Sequence, residues 1–113
     1  MQELLNIDEL MQKVRLQDWE VKSIIETFND YFTEEDELWL FGSRADLSKK
    51  GGDIDLFIES KMCDADKIFE AKLDFLVKLQ DKIGEQKIDV VIKHNEDDLL
   101  IYRVAKNEGV RLK

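Results

Sequence analysis

Residues 38 to 58 read Leu38-Trp-Leu-Phe-Gly-Ser-Arg-Ala-Asp-Leu-Ser-Lys-Lys-Gly-Gly-Asp-Ile-Asp-Leu-Phe-Ile58, and this stretch decides the fold. The run Glu37 to Phe41 is too continuously apolar for an exposed amphipathic element, so it reads as a short buried strand. Gly42 ends it. After a polar loop, Asp53 to Glu59 alternates: Ile54, Leu56 and Ile58 share one face of a second strand, and Asp53, Asp55 and Phe57 share the other.

Helical periodicity flanks both strands. On the N-terminal side, a short helix is expected near Ile7 to Val14. Asp18 is then expected to cap a helix running to about Phe32, with Val21, Ile24, Ile25, Phe28 and Phe32 as its apolar stripe. On the C-terminal side, Asp64 starts a helix through Ile83 in which Ile68, Phe69, Leu73, Leu76, Val77 and Ile83 recur at helical spacing, and Gly84 is its stop. Ile88 to Lys93 forms a third strand. Asn95 is expected to cap a last helix from Glu96 to Asn107, closed by Gly109 and followed by the short run Val110 to Lys113. The order helix, strand, strand, helix, strand, helix places the chain in the α+β class, a small mixed sheet covered by helices. Trp19, Trp39 and the stripes around Phe28 and Phe69 are the expected core, a partner-binding patch formed by some of them being the alternative. No proline, repeat or Gly/Ser linker marks an internal boundary, so residues 1–113 read as one domain.

Bulk properties narrow the function classes. With 113 residues the expectation is one modest core, burying roughly two-thirds of the unfolded surface. No apolar run is long enough to span a membrane, and Met1 to Leu16 lacks the basic start and continuous apolar stretch of a secretory peptide, so a cytoplasmic location is expected. One cysteine, Cys63, and one histidine, His94, exclude the usual four-ligand zinc sets, so any metal must be held by oxygen. The net charge of −9 opposes the phosphate neutralisation that broad nucleic-acid binding requires. A long nucleic acid is therefore not an expected partner. A triphosphate escorted by cations remains compatible, because bound divalent ions locally reverse the sign of the field.

The chemistry concentrates in the two strands and the turn between them. Glycine at 42 lets the backbone turn tightly and approach a ligand closely, and Ser43 offers a hydroxyl and an amide to phosphate oxygens. Asp53 and Asp55, two apart on a strand, project to one face about 6–7 Å apart, so they can embrace one cation or reach two. Two ions about 3.5–4 Å apart would clamp the attacking and leaving oxygens of an in-line phosphoryl displacement. Asp89 opens the third strand and supplies a third carboxylate if that strand lies beside the second. Bland readings compete at other positions. Asp64 and Asp66 are helix-capping and first-turn acids, Gly51-Gly52 turns the chain, and Lys49 and Lys50 are solvated. His94 and Cys63 lack the partners of a general base or nucleophile. Arg44, next to Ser43, is read as a cofactor-binding residue that could contact a triphosphate or an acceptor bidentately, a surface pair being the alternative.

A strand ending in Gly-Ser, a loop, Asp-x-Asp on the next strand and a later strand aspartate together resemble the minimal nucleotidyltransferases of the DNA polymerase beta superfamily. The likeness runs from the Trp39 strand through Asp89 and, more weakly, to Glu108-Gly-Val110. It departs from the family's pattern at Asp46, where a glycine is common, and in a loop one residue shorter than usual. The resemblance implies the nucleotidyltransferase fold, with Gly42 and Ser43 toward the triphosphate. It also implies Asp53, Asp55 and Asp89 as catalytic and metal-binding residues, with two Mg2+ ions and ATP as substrate. It further implies an antitoxin of a type VII-like pair that transfers AMP to a tyrosine of a helical HEPN-domain toxin. The alternatives are a non-catalytic antitoxin that occludes its partner and an enzyme acting on a small molecule.

Overall fold

The computed structural model describes residues 4–113; residues 1–3, the start of the segment read as lacking a targeting signal, lie outside the described residues. The elements are α1 (Ile7–Met11), α2 (Asp18–Tyr31), β1 (Glu37–Phe41), a 3-10 turn at Gly42–Ala45, β2 (Ile54–Glu59), α3 (Ala65–Ile83), β3 (Ile88–Lys93), α4 (Leu100–Glu108) and β4 (Val110–Arg111). The sheet order is β3-β2-β1-β4. β1 runs antiparallel to β2 and β4, while β2 and β3 are parallel, so the sheet is mixed as the pattern implies. β4 spans two residues that pair with Trp39 and Leu40, an edge too short to leave a periodic signal in the sequence.

Local chemistry explains most boundaries. Asn6 and Glu9 form a reciprocal capping box at α1, with bonds of 2.9 and 3.1 Å. At α3 the Asp64 carboxylate accepts the backbone N–H groups of Asp66 and Lys67, the capping role expected for it. Gly84 ends that helix at φ +86°, which a side chain would resist. Two expected caps are corrected. Gln17, not Asp18, holds the cap position of α2, and its N–H is taken by Glu20 Oε1 at 2.9 Å, leaving Asp18 as the first helical residue. Asn95 does not cap α4: its side chain accepts from Asp97 N at 2.9 Å in a local turn that competes with helix, and α4 begins only at Leu100.

The sheet carries a core on each face. Ile54, Leu56 and Ile58 of β2 join Leu38 and Leu40 of β1 beneath α1, α2 and α3, where Phe28 and Phe75 are fully buried. Burying each such side chain contributes about 1.5–3 kcal/mol. On the opposite face Trp39, Phe41 and Phe57 form a smaller cluster under Ala105 and Tyr102 of α4. Lys106 fastens α4 there, its Nζ lying 2.8 Å from Glu59 and 3.7 Å from Glu37. The core face of α3 differs from expectation. Phe75 and Leu79 point inward with Ile68 and Ile83, whereas Phe69, Leu73 and Val77 lie on the exposed side, and Trp19 is half exposed as well. A helix with apolar residues on two faces gives a periodicity from which the buried face cannot be chosen. No helix among the described residues is long and apolar enough to cross a membrane.

Candidate active site

Strand register builds the site. Phe41 stands opposite Asp55 in the antiparallel pair, and Asp55 stands beside Asp89 in the parallel pair, so one row crosses β1, β2 and β3 where β1 ends and the other two begin. Residues so paired share a face, which puts Asp55 and Asp89 on the α4 side of the sheet. Gly42 follows immediately, at φ +73°. A Cβ on Gly42 would lie 2.2 Å from Asp55 Oδ2, so glycine at 42 serves both the backbone turn and the close seat of the carboxylate.

The aspartates press on one another. Partial burial of Asp55, followed by the charges of Asp89 and Asp53, pushes its carboxyl above the usual carboxylate range. Asp89 is exposed at the mouth of the site. Asp53 sits just ahead of β2, where its neighbour's N–H donates to Lys87 O at 3.0 Å and its own Oδ2 lies 3.4 Å from Lys87 Nζ. That hydrogen bond and charge raise the lysine's pKa. The third carboxylate is thus paired with an ammonium, and among the described residues no three acidic, imidazole or thiol groups converge on one ion position.

Two arginines fix the loop between Gly-Ser and Asp-x-Asp. Arg44 Nη1 donates to Arg15 O at 2.7 Å and Nη2 to Gly52 O at 3.2 Å, while its Nε is buried and finds no acceptor among the described residues. Arg15 answers from the other side. Its Nη2 donates to Gly51 O at 2.7 Å and to Ser43 O at 3.3 Å, and its backbone N–H bonds to Arg44 O at 2.7 Å. Gly51, at φ +140°, lies so close over Ser43 that a Cβ would approach the hydroxyl to 2.8 Å. Arg44 therefore faces loop carbonyls and makes no ion pair among the described residues. Asp46 also has a role: its carboxylate accepts from Ser48 N and Oγ at 2.9 and 2.6 Å, which turns the loop and lowers its own pKa. Arg15 escaped sequence reading because its partners lie 28 and 36 residues away, and only its position between the buried Val14 and Leu16 hints at an anchored segment.

The sequence model of the family described as polymerase beta, nucleotidyltransferase matches residues 22–112. The chain belongs to this family. The match spans β1, the Gly-Ser turn, Asp-x-Asp and the β3 aspartate, and the mixed sheet with its helices is the polymerase beta-like nucleotidyltransferase fold. No curated protein matches the chain closely.

Nucleotidyltransferases of this family work with a nucleoside triphosphate and a divalent metal. The donor chemistry of this nucleotidyltransferase fits such an ion: hard carboxylate oxygens, two of them repelling each other across Asp55 and Asp89, are what a hard cation relieves. His94 and Cys63 stand apart from these carboxylates. His94 follows β3 at the far end of the sheet, its Nδ1 buried and without a hydrogen-bond partner among the described residues, and Cys63 is an exposed thiol ahead of α3. Lys49 and Lys50 are exposed in the loop.

Proposed function

We propose that the protein transfers a nucleoside monophosphate, AMP from ATP, to a hydroxyl on an acceptor, releasing pyrophosphate. The row Phe41, Asp55, Asp89 with Gly42 folded against Asp55 carries the reading, since it sets phosphate-binding backbone beside paired carboxylates. The acceptor oxygen bonds to the α-phosphorus as the bond to the bridging oxygen of the β-phosphate breaks. The hydroxyl proton passes to a carboxylate, for which the exposed Asp89 is the accessible group. Gly42 permits close approach of the triphosphate, and Ser43 offers its hydroxyl and amide to the phosphate oxygens. Magnesium ions held by Asp53, Asp55 and Asp89, two in the full arrangement, would neutralise the triphosphate and polarise its α-phosphate. Lys87 would have to release Asp53 for that set to close.

The acceptor we favour is a tyrosine of a HEPN-domain toxin, with this chain as its antitoxin; this rests on family analogy. Incubation with α-labelled ATP, magnesium and that partner should label the partner, and Asp53→Ala with Asp55→Ala should abolish the label. Absence of label on any protein or small hydroxyl compound would sink the catalytic reading. The ion pair that ties Asp53 to Lys87 favours a second reading, in which binding alone neutralises the partner and the carboxylates are dispensable. A folded double-aspartate variant that protects cells as well as the parent would establish it.

A further inference from the structure

The strand register sets a cation among the carboxylates. Asp55 pairs with Asp89, and two residues earlier, on the same face, Asp53 stands beside Lys87, whose carbonyl accepts from Ile54 N at 3.0 Å. Three carboxylates and one ammonium thus form a square across the starts of β2 and β3. Lys87 Nζ lies 3.4 Å from Asp53 Oδ2, and the charges of Asp89 and Asp55 act on it as well. No other basic side chain forms an ion pair with these three carboxylates among the described residues. The lysine side chain is 68% exposed, so its flexible stem is free to carry the ammonium elsewhere.

Two observations limit what this cation can do. An exposed pair is weak in water, so a divalent ion arriving at Asp53 can displace the ammonium. Arg15 and Arg44, the guanidiniums beside the Gly-Ser turn, are committed to backbone carbonyls, so neither is free to answer a phosphate. β1 and β3 flank β2 at about 4.8 Å each, which puts the turn after β1 and Lys87 ahead of β3 on either side of Asp55. Phosphates that reach from the turn across Asp55 approach Lys87.

We propose that Lys87 is a substrate-binding residue that trades a carboxylate for a phosphate: its ammonium holds Asp53 until magnesium takes that oxygen, then turns to the phosphoryl oxygens of the nucleotide. Before loading, Lys87 offsets the mutual repulsion of the carboxylates; afterwards it offsets phosphate charge, as a compact point charge can. The inference rests on the transfer reading above, and it gives the Asp53–Lys87 pair a part in the reaction cycle.

Calorimetry on the full chain tests the trade. One titrant is magnesium alone; the other, at saturating magnesium, is an ATP analogue whose α–β bridge cannot be cleaved. Lys87→Met should bind magnesium alone more tightly than the parent, yet bind the analogue about tenfold or more weakly, the loss expected of one charge-assisted hydrogen bond. Lys87→Arg, which keeps a cation, should recover most of that loss. The opposite signs are the signature, because damage to the fold would weaken both titrations. Equal or tighter analogue binding by Lys87→Met would leave Lys87 a mere competitor for Asp53 and overturn the inference. Weakening in both titrations, or no recovery by Lys87→Arg, would overturn it too. A parent that binds no analogue at any magnesium concentration would overturn the transfer reading and this inference with it, whereas a parent that binds it no better than Lys87→Met does overturns the role of Lys87 alone.

Discussion

Gly42→Ala is the most informative single substitution, because two separable effects meet at that residue. A left-handed backbone costs a residue with Cβ roughly 1–2 kcal/mol, and Gly42 sits at φ +73°. At about 4–8 °C per kcal/mol for a domain near this size, the backbone effect alone lowers the melting temperature by roughly 5–15 °C. The second effect is steric. The new Cβ would stand 2.2 Å from Asp55 Oδ2, and a carbon needs about 3.5 Å of separation, so the carboxylate must retreat by roughly 1 Å. A displacement of that size at a reacting centre costs on the order of 10²-fold in rate. A thermodynamic cycle separates the two effects. In an Asp55→Ala background the offending oxygen is gone and only the Asp55 Cβ, 3.4 Å away, remains, so Gly42→Ala should there cost the backbone effect alone. Thermal unfolding of the four proteins should give a coupling of about 0.5–3 kcal/mol. Equal costs in the two backgrounds, together with unchanged magnesium binding by Gly42→Ala, would refute the contact between glycine and carboxylate.

Four further outcomes are expected. Gly109→Ala should lower stability by about 1–3 kcal/mol through overpacking, because its Cβ would meet Ala105 O at 2.2 Å and Leu40 O at 2.8 Å, both backbone; an unchanged urea midpoint would count against the tight join of α4 to β1. Asp55→Asn should melt higher than the parent at pH 7 without metal. The raised Asp55 pKa means the native site favours the protonated form, so its stabilisation is present below the ordinary carboxylate range and is lost as pH rises through the folded value. The advantage of the variant should therefore vanish near pH 3, and added magnesium should raise the melting temperature of the parent but not of Asp55→Asn. Lys87→Met should tighten magnesium binding measured by calorimetry, since Asp53 loses its competing ammonium; weaker binding would contradict that competition. Arg15→Ala should speed amide exchange around Ser43 and residues 51–52 and lower nucleotide affinity, while global unfolding shifts less than for Gly109→Ala.

How much of this was legible in the sequence depended on the range of the interactions. The strand boundaries at Glu37–Phe41 and Ile88–Lys93 and the cap at Asp64 rest on neighbours within a few residues, and they appear where composition and capping chemistry put them. The juxtaposition of Asp55 and Asp89 needed a parallel pairing across α3, which periodicity permits without dictating. The start of α4 was misread because Asn95 can cap a helix or close a turn with equal local chemistry, and the turn won. Phe69 was misread because helical spacing is blind to which of two apolar faces meets the sheet. Arg15 left no local trace because all its acceptors come from the distant loop.

The reciprocal arginines change how the Gly-Ser turn should be understood. A turn that only had to bend would need Gly42 and little else, yet here the carbonyls of Ser43, Gly51 and Gly52 are each drawn to a guanidinium, and Arg15 and Arg44 exchange bonds through their own backbone groups. Carbonyls turned toward guanidinium groups cannot also face a triphosphate, whose oxygens they would repel. Holding them that way removes acceptor dipoles from the phosphate side and limits the ways the short loop can collapse onto Ser43. Because Arg15 lies between Val14 and Leu16, both buried against the main core, the loop is referenced to the folded body of the protein and not to its own span alone. The Gly-Ser turn, which we propose binds phosphate, is thus preorganised from the N-terminal segment, outside the stretch of sequence that announces the chemistry.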